Sequence, residues 1–227
     1  MSPPAPTLAV IPVKPLGKAL VRLSAALEGP VRRELQAAML ADVLAACAGA
    51  ARLAETVVVT GDADAAAIAR ASGARVVSDH SPRRGMNAAV GLGLGVAARG
   101  GAEAALVLTA DLPLVRPEDL DAVVAAAPGA PSATLVPSRD GTGTNAMLLR
   151  PPSALTPQLG PDSLARHTAQ ALARAVVVCR LDLPRLAVDV DTPADLAAAL
   201  EGPAAIATRA AAARLRVAER LGAGSAL

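Results

Sequence analysis

Short apolar runs alternate along the chain with longer segments of helical periodicity. Leu8 to Val13 is a continuous apolar run rich in strand formers, ended by Pro12 and Lys14. Thr56–Thr60, Ala74–Ser78, Leu106–Leu108, Ser132–Pro137, Asn145–Leu149 and Ala175–Cys179 also read as strands, and Val188–Val190 as a short one carrying an acid pair. Runs without polar alternation are how strands covered on both faces of a sheet read. Pro30 opens a long helix through about Ala48, with Leu35, Met39, Val43 and Ala46 on one face. Further helices are predicted from Gly61-Asp62 to near Gly73, from near Asn87, from Pro117 and from near Ser163. Glu118 and Asp119 lie in the first turn after Pro117, where the helix dipole favours acids. Thr192-Pro193-Ala194-Asp195 is a clear helix start, with a Thr cap, Pro at the first position and an acid in the first turn. Strands alternating with helices predict a three-layer α/β/α domain with a mostly parallel sheet. Residues 1–200 are read as that single domain. Residues 201–227 are an Ala/Arg-rich terminal helix or tail, with Ile206, Val217 and Leu221 as its apolar anchors.

The chain is 53% hydrophobic and 19% charged, enough to bury a core and not disordered by composition. Its net charge is +2, and Lys14 and Lys18 are its only lysines, so arginine carries the basic balance. No segment has the length and apolar purity of a membrane-spanning helix. The start, Met1-Ser2-Pro3-Pro4-Ala5-Pro6, lacks the charged and apolar regions of a signal peptide. Cys47 and Cys179 lie in apolar surroundings without metal spacing and read as buried free thiols. Together these features predict a cytoplasmic protein that engages no membrane. There is no Phe, Tyr or Trp. The core must be built from Val, Leu, Ile, Met and Ala, and no aromatic platform exists on which nucleic-acid bases could stack. An absence this complete is consistent with deliberate replacement of aromatics.

Candidate chemistry centres on Leu106-Val107-Leu108-Thr109-Ala110-Asp111-Leu112-Pro113-Leu114. Asp111 follows the carboxyl end of a buried strand, where open α/β sheets place their ligands; the alternative is an acid that caps the following turn. Two more kinds of group should gather at that edge. Lys14, Lys18 and Arg22, in the loop after the first strand, suit a polyphosphate. The Gly/Thr/Asn loop Arg139–Asn145 and Gly160-Pro161-Asp162-Ser163 offer amides and hydroxyls for a smaller phosphate. Asp111 with Asp189 and Asp191 forms a hard oxygen set suited to Mg²⁺ beside substrate phosphates. Asp189 and Asp191 are two apart, so on a strand they share a face, either both at the metal or one behind the other. Each group has a plainer account: a solvated cationic rim, a hairpin turn, and acids capping the last helix. Gly91, Gly93 and Gly95 mimic a dinucleotide fingerprint but follow no strand directly and have no acid at the expected distance, so helix packing explains them better.

Ile11-Pro12-Val13-Lys14-Pro15-Leu16, Arg22-Leu23, Met86-Asn87-Ala88-Ala89, Ala110-Asp111-Leu112-Pro113, Gly143-Thr144-Asn145-Ala146 and Asp189-Val190-Asp191-Thr192-Pro193 together resemble the phospholactate/phosphoenolpyruvate guanylyltransferases of deazaflavin coenzyme (F-420) biosynthesis. The likeness runs from about Leu8 to Leu200. It implies a Rossmann-like, GT-A type nucleotidyltransferase fold, with GTP and a three-carbon phosphate acid as substrates and Mg²⁺ as cofactor. By the resemblance, Lys14 and Arg22 would bind the GTP phosphates, with Lys18 nearby, and Asn87 would lie by the base or ribose. Asp111 with Asp191 or Asp189 would hold Mg²⁺, Thr144, Gly160 and Ser163 would hold the three-carbon acceptor, and Asn145 would be a further binding residue. The family usually shows Ala-Lys-Ser-Arg-Leu where this chain has Ala19-Leu20-Val21-Arg22-Leu23, so one phosphate-binding lysine is missing. Leu159 and Leu164 stand where the family tends to have aromatics.

The implied reaction is in-line attack of an acceptor phosphate oxygen on the α-phosphorus of GTP, expelling pyrophosphate. His167 either touches the acceptor phosphate or is a partly exposed helix residue. Two other readings compete: a nucleotidyltransferase with a molybdopterin or sugar-phosphate acceptor, and a non-catalytic nucleotide-binding relative or scaffold, which the Leu20/Val21 departure favours. The oligomeric state is left open.

Overall fold

A computed structural model describes residues 6–18, 20–80 and 85–224. Seven strands form one sheet in the order β3-β2-β1-β4-β6-β5-β7. They are β1 (Thr7–Val13), β2 (Glu55–Thr60), β3 (Arg75–Ser78), β4 (Ala104–Leu108), β5 (Ser132–Pro137), β6 (Thr144–Arg150) and β7 (Val177–Arg180). β6 alone runs against the rest, antiparallel to both β4 and β5. The helices are α1 (Gly29–Gly49), α2 (Ala63–Ala71), α3 (Met86–Arg99), α4 (Pro117–Ala125), α5 (Ser163–Ala173), α6 (Pro193–Glu201), α7 (Ile206–Arg214) and α8 (Val217–Gly224).

The two-residue period of β1 builds both flanking layers. Ala9, Ile11 and Val13 pack with Leu40, Val43 and Leu44 of α1 and Leu120 and Val123 of α4. Leu8 and Val10 pack on the opposite side with Val90 and Leu94 of α3. This is the expected three-layer arrangement. Its largest fully buried side chains are Leu, Ile and Met, including Ile11, Leu35, Met39, Leu106 and Leu120, so the core closes without aromatics. Gly93 serves packing, as expected: a Cβ there would overlap Val10 and crowd Val59, so α3 lies close on the sheet.

Several boundaries differ from expectation. Pro12 lies inside β1 instead of ending it; past Val10 the strand has only β2 beside it, because pairing with β4 stops at Val10–Val107. Val188–Val190 is not a strand. It crosses the carboxyl edge of the sheet, with Val190 N–H donating to the Asp111 carbonyl at 3.0 Å. Cys179 is half-exposed because β7 is an edge strand, whereas Cys47 is buried and its thiol is pushed up to about 12 by desolvation.

The tail forms two helices, broken around Arg216 at φ 51°, and Ile206 is exposed instead of anchoring it. Val217 is buried and Leu221 packs beside it, as expected, in a cluster with Leu35 and Met39 of α1 and Leu196 of α6 that Ala211 and Ala212 also join. Asp42 of α1 accepts hydrogen bonds from Ala207 N–H, Thr208 N–H and the Thr208 hydroxyl at 2.8, 2.9 and 2.6 Å, which fixes the start of α7. Among the described residues, no helix is long and apolar enough to cross a membrane.

Candidate active site

The strand order turns back on itself between β1 and β4, because β2 and β3 lie on one side of β1 and β4 on the other. The loops leaving β1 and β4 therefore diverge and leave a crevice at the carboxyl edge, the usual ligand position in such sheets. A cleft of about 630 Å³ occupies it, lined by Lys14, Arg22, Asp111, Thr144, Asn145, Gly160, Ser163, Asp189 and Asp191 among others. It continues into a smaller cavity of about 220 Å³ bordered by Lys14, Lys18, Arg22, Gln36 and Asp111. A third hollow, about 380 Å³, lies behind Lys14 and Lys18 against Gly61, Asp79 and Met86. Lys14, Arg22 and Asp111 line both of the first two hollows, Lys18 and Gln36 only the smaller, and the loops 138–145 and 160–163 only the larger.

The loop after β1 is held from outside. Leu16 N–H donates to Asp62 at 2.9 Å, and Gly17 N–H to the buried Gln36 side chain at 3.0 Å. Gln36 was not singled out in the sequence, because a lone polar residue on an apolar helix face carries no periodic signal. Leu20 adopts a left-handed conformation, φ 55°, and is buried with Leu23, Leu27 and Val31, while Val21 is exposed. An apolar anchor therefore stands where the resemblance expects a lysine, and Lys18 borders the same cavity. Arg22 lies 3.5 Å from Asp191; both side chains are at least half exposed, so the pair adds little stability.

Asp111 Oδ1 and the Thr109 hydroxyl are buried and have no hydrogen-bond partner. Such groups are rare, because an unsatisfied buried oxygen loses its hydration without replacement. Burial pushes the Asp111 carboxyl up to about 6; the neighbouring Thr109 hydroxyl, which makes no well-formed hydrogen bond to it, opposes this in part, and Asp189 and Asp191 add to the rise. Asp191 is raised too, by burial and then by Asp189, with Arg22 and Lys14 opposing. Asn145, itself buried, donates through Nδ2 to Asp189 Oδ1 at 3.1 Å and to the Leu186 carbonyl at 3.0 Å, so it fixes the acid-bearing segment. Among the described residues, no three of His, Cys, Asp or Glu are gathered closely enough to cage an ion alone. Asp111, Asp189 and Asp191 nevertheless all line the cleft and offer only oxygen.

On the other side, Asp140 braces the β5–β6 loop. It accepts hydrogen bonds from the Ser138 hydroxyl at 2.6 Å and from Thr142 N–H and hydroxyl at 3.0 Å each. The Ser138 hydroxyl, then Thr142, hold its carboxyl down at about 2. Gly160 turns at φ 117°, and its carbonyl accepts Ser163 N–H at 3.1 Å where α5 begins. Asn87 does not line the cleft. Its amide is engaged with the Leu159 peptide, Nδ2 donating to the carbonyl at 3.1 Å and Oδ1 accepting the N–H at 2.7 Å. His167 is fully buried, neither partly exposed nor at the cleft surface; it lies 3.2 Å from the Thr144 hydroxyl and accepts Gln158 N–H at 3.0 Å. Arg139, also missed, lines the cleft and pairs with Asp195 at 2.5 Å; a cation inside the Gly/Thr loop was its only signal.

A crevice that gathers cations, carboxylates and hydroxyl-bearing loops suits two anionic ligands brought together, and solved structures that share this architecture include nucleotidyltransferases. A nucleotidyl transferase from Methanothermobacter superimposes with a TM-score of 0.62 at 18% identity, covering 85% of this chain and 94% of the other. A cytidylyltransferase from Leptospira borgpetersenii gives 0.57 at 14%, covering 84% and 83%. These likenesses establish the fold. The chain belongs to the CofC-like guanylyl transferase family, whose model matches residues 7–210. It is 42% identical over 207 residues to a phosphoenolpyruvate guanylyltransferase of Thermomonospora curvata, covering 91% of this chain and 88% of the relative. A protein of the same name from Streptomyces coelicolor is 40% identical over 211 residues, covering 92% and 97%. The chain is thus an enzyme of the guanylyltransferase class.

Proposed function

We propose that the enzyme transfers GMP from GTP to phosphoenolpyruvate with release of pyrophosphate, in the pathway to the deazaflavin coenzyme F-420. The observation that carries this reading is one continuous crevice in which Lys14, Arg22 and Asp111 are shared between a smaller hollow that adds Lys18 and a larger one that adds the hydroxyls and amides of two loops. The names of the 40% identical relatives favour phosphoenolpyruvate over 2-phospho-L-lactate.

Lys14, Lys18 and Arg22 would take the triphosphate, drawing charge toward the leaving pyrophosphate. The hollow at Gly61, Asp79 and Met86 would receive the nucleoside. Thr144, Gly160 and Ser163 would hold the acceptor so that one of its phosphate oxygens faces the α-phosphorus. A bond then forms from that oxygen to phosphorus as the bond to the β-phosphate oxygen breaks. No side-chain nucleophile is required; alignment of two anions that otherwise repel is the main task of the protein. Asp111, Asp189 and Asp191 would hold Mg²⁺, with Asn145 steadying Asp189. The unpartnered Asp111 oxygen supports this assignment. The ion would neutralise phosphate charge.

Pyrophosphate release, measured with Mg²⁺ and every pairing of GTP, ATP or CTP with phosphoenolpyruvate, 2-phospholactate or a sugar phosphate, tests the reading. Release confined to GTP with phosphoenolpyruvate is expected. Preference for 2-phospholactate would change the acceptor, and nucleotide binding without release from any pair would leave a non-catalytic relative.

A further inference from the structure

We infer that His167 is a positioning residue that fixes the Thr144 hydroxyl proton to point into the cleft, toward the acceptor anion. The inference rests on the acceptor assignment above and deepens it. His167 follows Ser163 by four positions on α5, so the two share a helix face. Ser163 reaches the cleft, whereas the imidazole is buried behind it with no exposed surface.

The proton order follows from donor chemistry. An amide N–H can only donate, and Gln158 N–H lies 3.0 Å from His167 Nε2, so Nε2 must carry a lone pair. In a neutral ring the proton is then on Nδ1, which lies 3.2 Å from Thr144 Oγ1. The Thr144 oxygen therefore accepts from the ring, and its own single proton remains to be donated elsewhere. Thr144 lines the cleft, so that direction is open to a carboxylate or phosphate. Without the ring the hydroxyl could rotate and present lone pairs to the anion, which would repel it. The same imidazole also holds Gln158, two residues before Gly160, so one group orients both the hydroxyl and the loop.

Two properties keep the ring in this state. A doubly protonated ring would point a donor at the Gln158 N–H. Burial, and then the nearby Arg166, hold the His167 pKa down at about 4. The ring is therefore neutral across the physiological range.

The test is a double-mutant cycle read on each substrate. His167→Leu is expected to raise the KM for phosphoenolpyruvate about tenfold, the scale of one hydrogen bond to a charged group, while the KM for GTP moves less than twofold. In a Thr144→Val background the same change should add nothing further; additive effects, as a merely structural histidine would give, overturn the inference. His167→Gln, which keeps a donor and an acceptor, should recover part of the loss. Nitrogen-15 NMR of the imidazole in the unaltered protein decides the matter even where a variant does not fold. A neutral ring protonated at Nδ1 supports the inference, and an Nε2–H ring or an imidazolium at neutral pH overturns it. Absence of turnover with phosphoenolpyruvate would strike the proposed function alone, since the NMR result does not depend on it.

Discussion

Asn87 and Leu159 stand 72 residues apart and exchange two hydrogen bonds through the Asn87 amide and the Leu159 peptide. Met86, beside Asn87, lines both hollows of the cleft, and Leu159 and Gly160 line the larger one. The pair therefore ties the head of α3 to the loop before α5, across the place where two substrates would meet. Asn87→Ala leaves a peptide N–H and a carbonyl without their partner, a loss of about 1–3 kcal/mol for buried groups and less at this exposed position. We expect the KM for the acceptor to rise about fivefold or more and that for the nucleotide to change less. Steady-state kinetics with each substrate varied in turn checks this. A rise confined to the nucleotide would return Asn87 to the base or ribose, as the family resemblance implies.

Asp111→Asn should separate stability from activity. The folded-state pKa of Asp111 is raised to about 6 from 3.8, so the folded chain holds its proton more tightly than the unfolded chain. Stability from that proton is present below pH 4 and lost as pH rises to about 6. Asn carries no charge, so the variant should match the parent at low pH and exceed it above pH 6. The gain should be about 1–3 kcal/mol, at roughly 1.4 kcal/mol per pKa unit. Denaturant titrations in chelator across pH 4–8 measure it. Transfer should fall by at least about a hundredfold, the usual scale for removing a charge-stabilising group from an active site. Near-normal turnover at limiting Mg²⁺ would remove Asp111 from the metal set.

Lys18 borders the same cavity as Leu20, which stands where the resemblance implies a lysine. Lys18→Met keeps most of the side-chain volume and removes the charge. We expect the KM for GTP to rise about tenfold, with a shallower dependence on ionic strength because fewer charges then meet the triphosphate. An unchanged salt dependence would mean that Lys14 and Arg22 hold the phosphates without it.

What was readable in the chain and what was not divide along a physical line. The unbroken apolar run of β1, the Thr192 cap and the strand-end position of Asp111 are local patterns, and a short stretch of sequence exposes each. The Thr192–Asp195 capping box forms as expected, with Thr192 N–H donating to Asp195 at 2.9 Å and Asp195 N–H to the Thr192 hydroxyl at 3.2 Å. Asp195 also pairs with Arg139, which no spacing announces because the two are 56 residues apart. The same holds for Asp42 with Thr208 and for Asn145 with Asp189: residue type suggests a polar role, but only the folded chain supplies the partner. In the tail Val217 and Leu221 anchor as their size suggests, and Ile206 does not. Ala211 and Ala212 fit against α1 because they are small, whereas a search for large apolar anchors selects the exposed Ile206.

The absence of aromatics makes a prediction that differs between rim and core. Leu159 and Leu164, where the family tends to carry aromatics, are half-buried and pack against the cluster that includes Ala89 and Val90 of α3. A phenylalanine at 164 can extend over that cluster without displacing fully buried neighbours. At about 25 cal/mol per Å² of apolar surface covered, a ring that shields some tens of Å² more adds roughly 0.5–1 kcal/mol. Leu120 and Leu135 have no exposed surface, so the same change there forces neighbours apart and costs roughly 1–3 kcal/mol. Leu164→Phe should therefore raise the melting temperature by about 2 °C, and Leu120→Phe should lower it by several degrees. Thermal unfolding of the two variants beside the parent checks both signs. A drop for Leu164→Phe would show that leucine already fills the site and that no aromatic was removed from it. A rise for Leu120→Phe would show the opposite, a core left underfilled between α4 and the sheet.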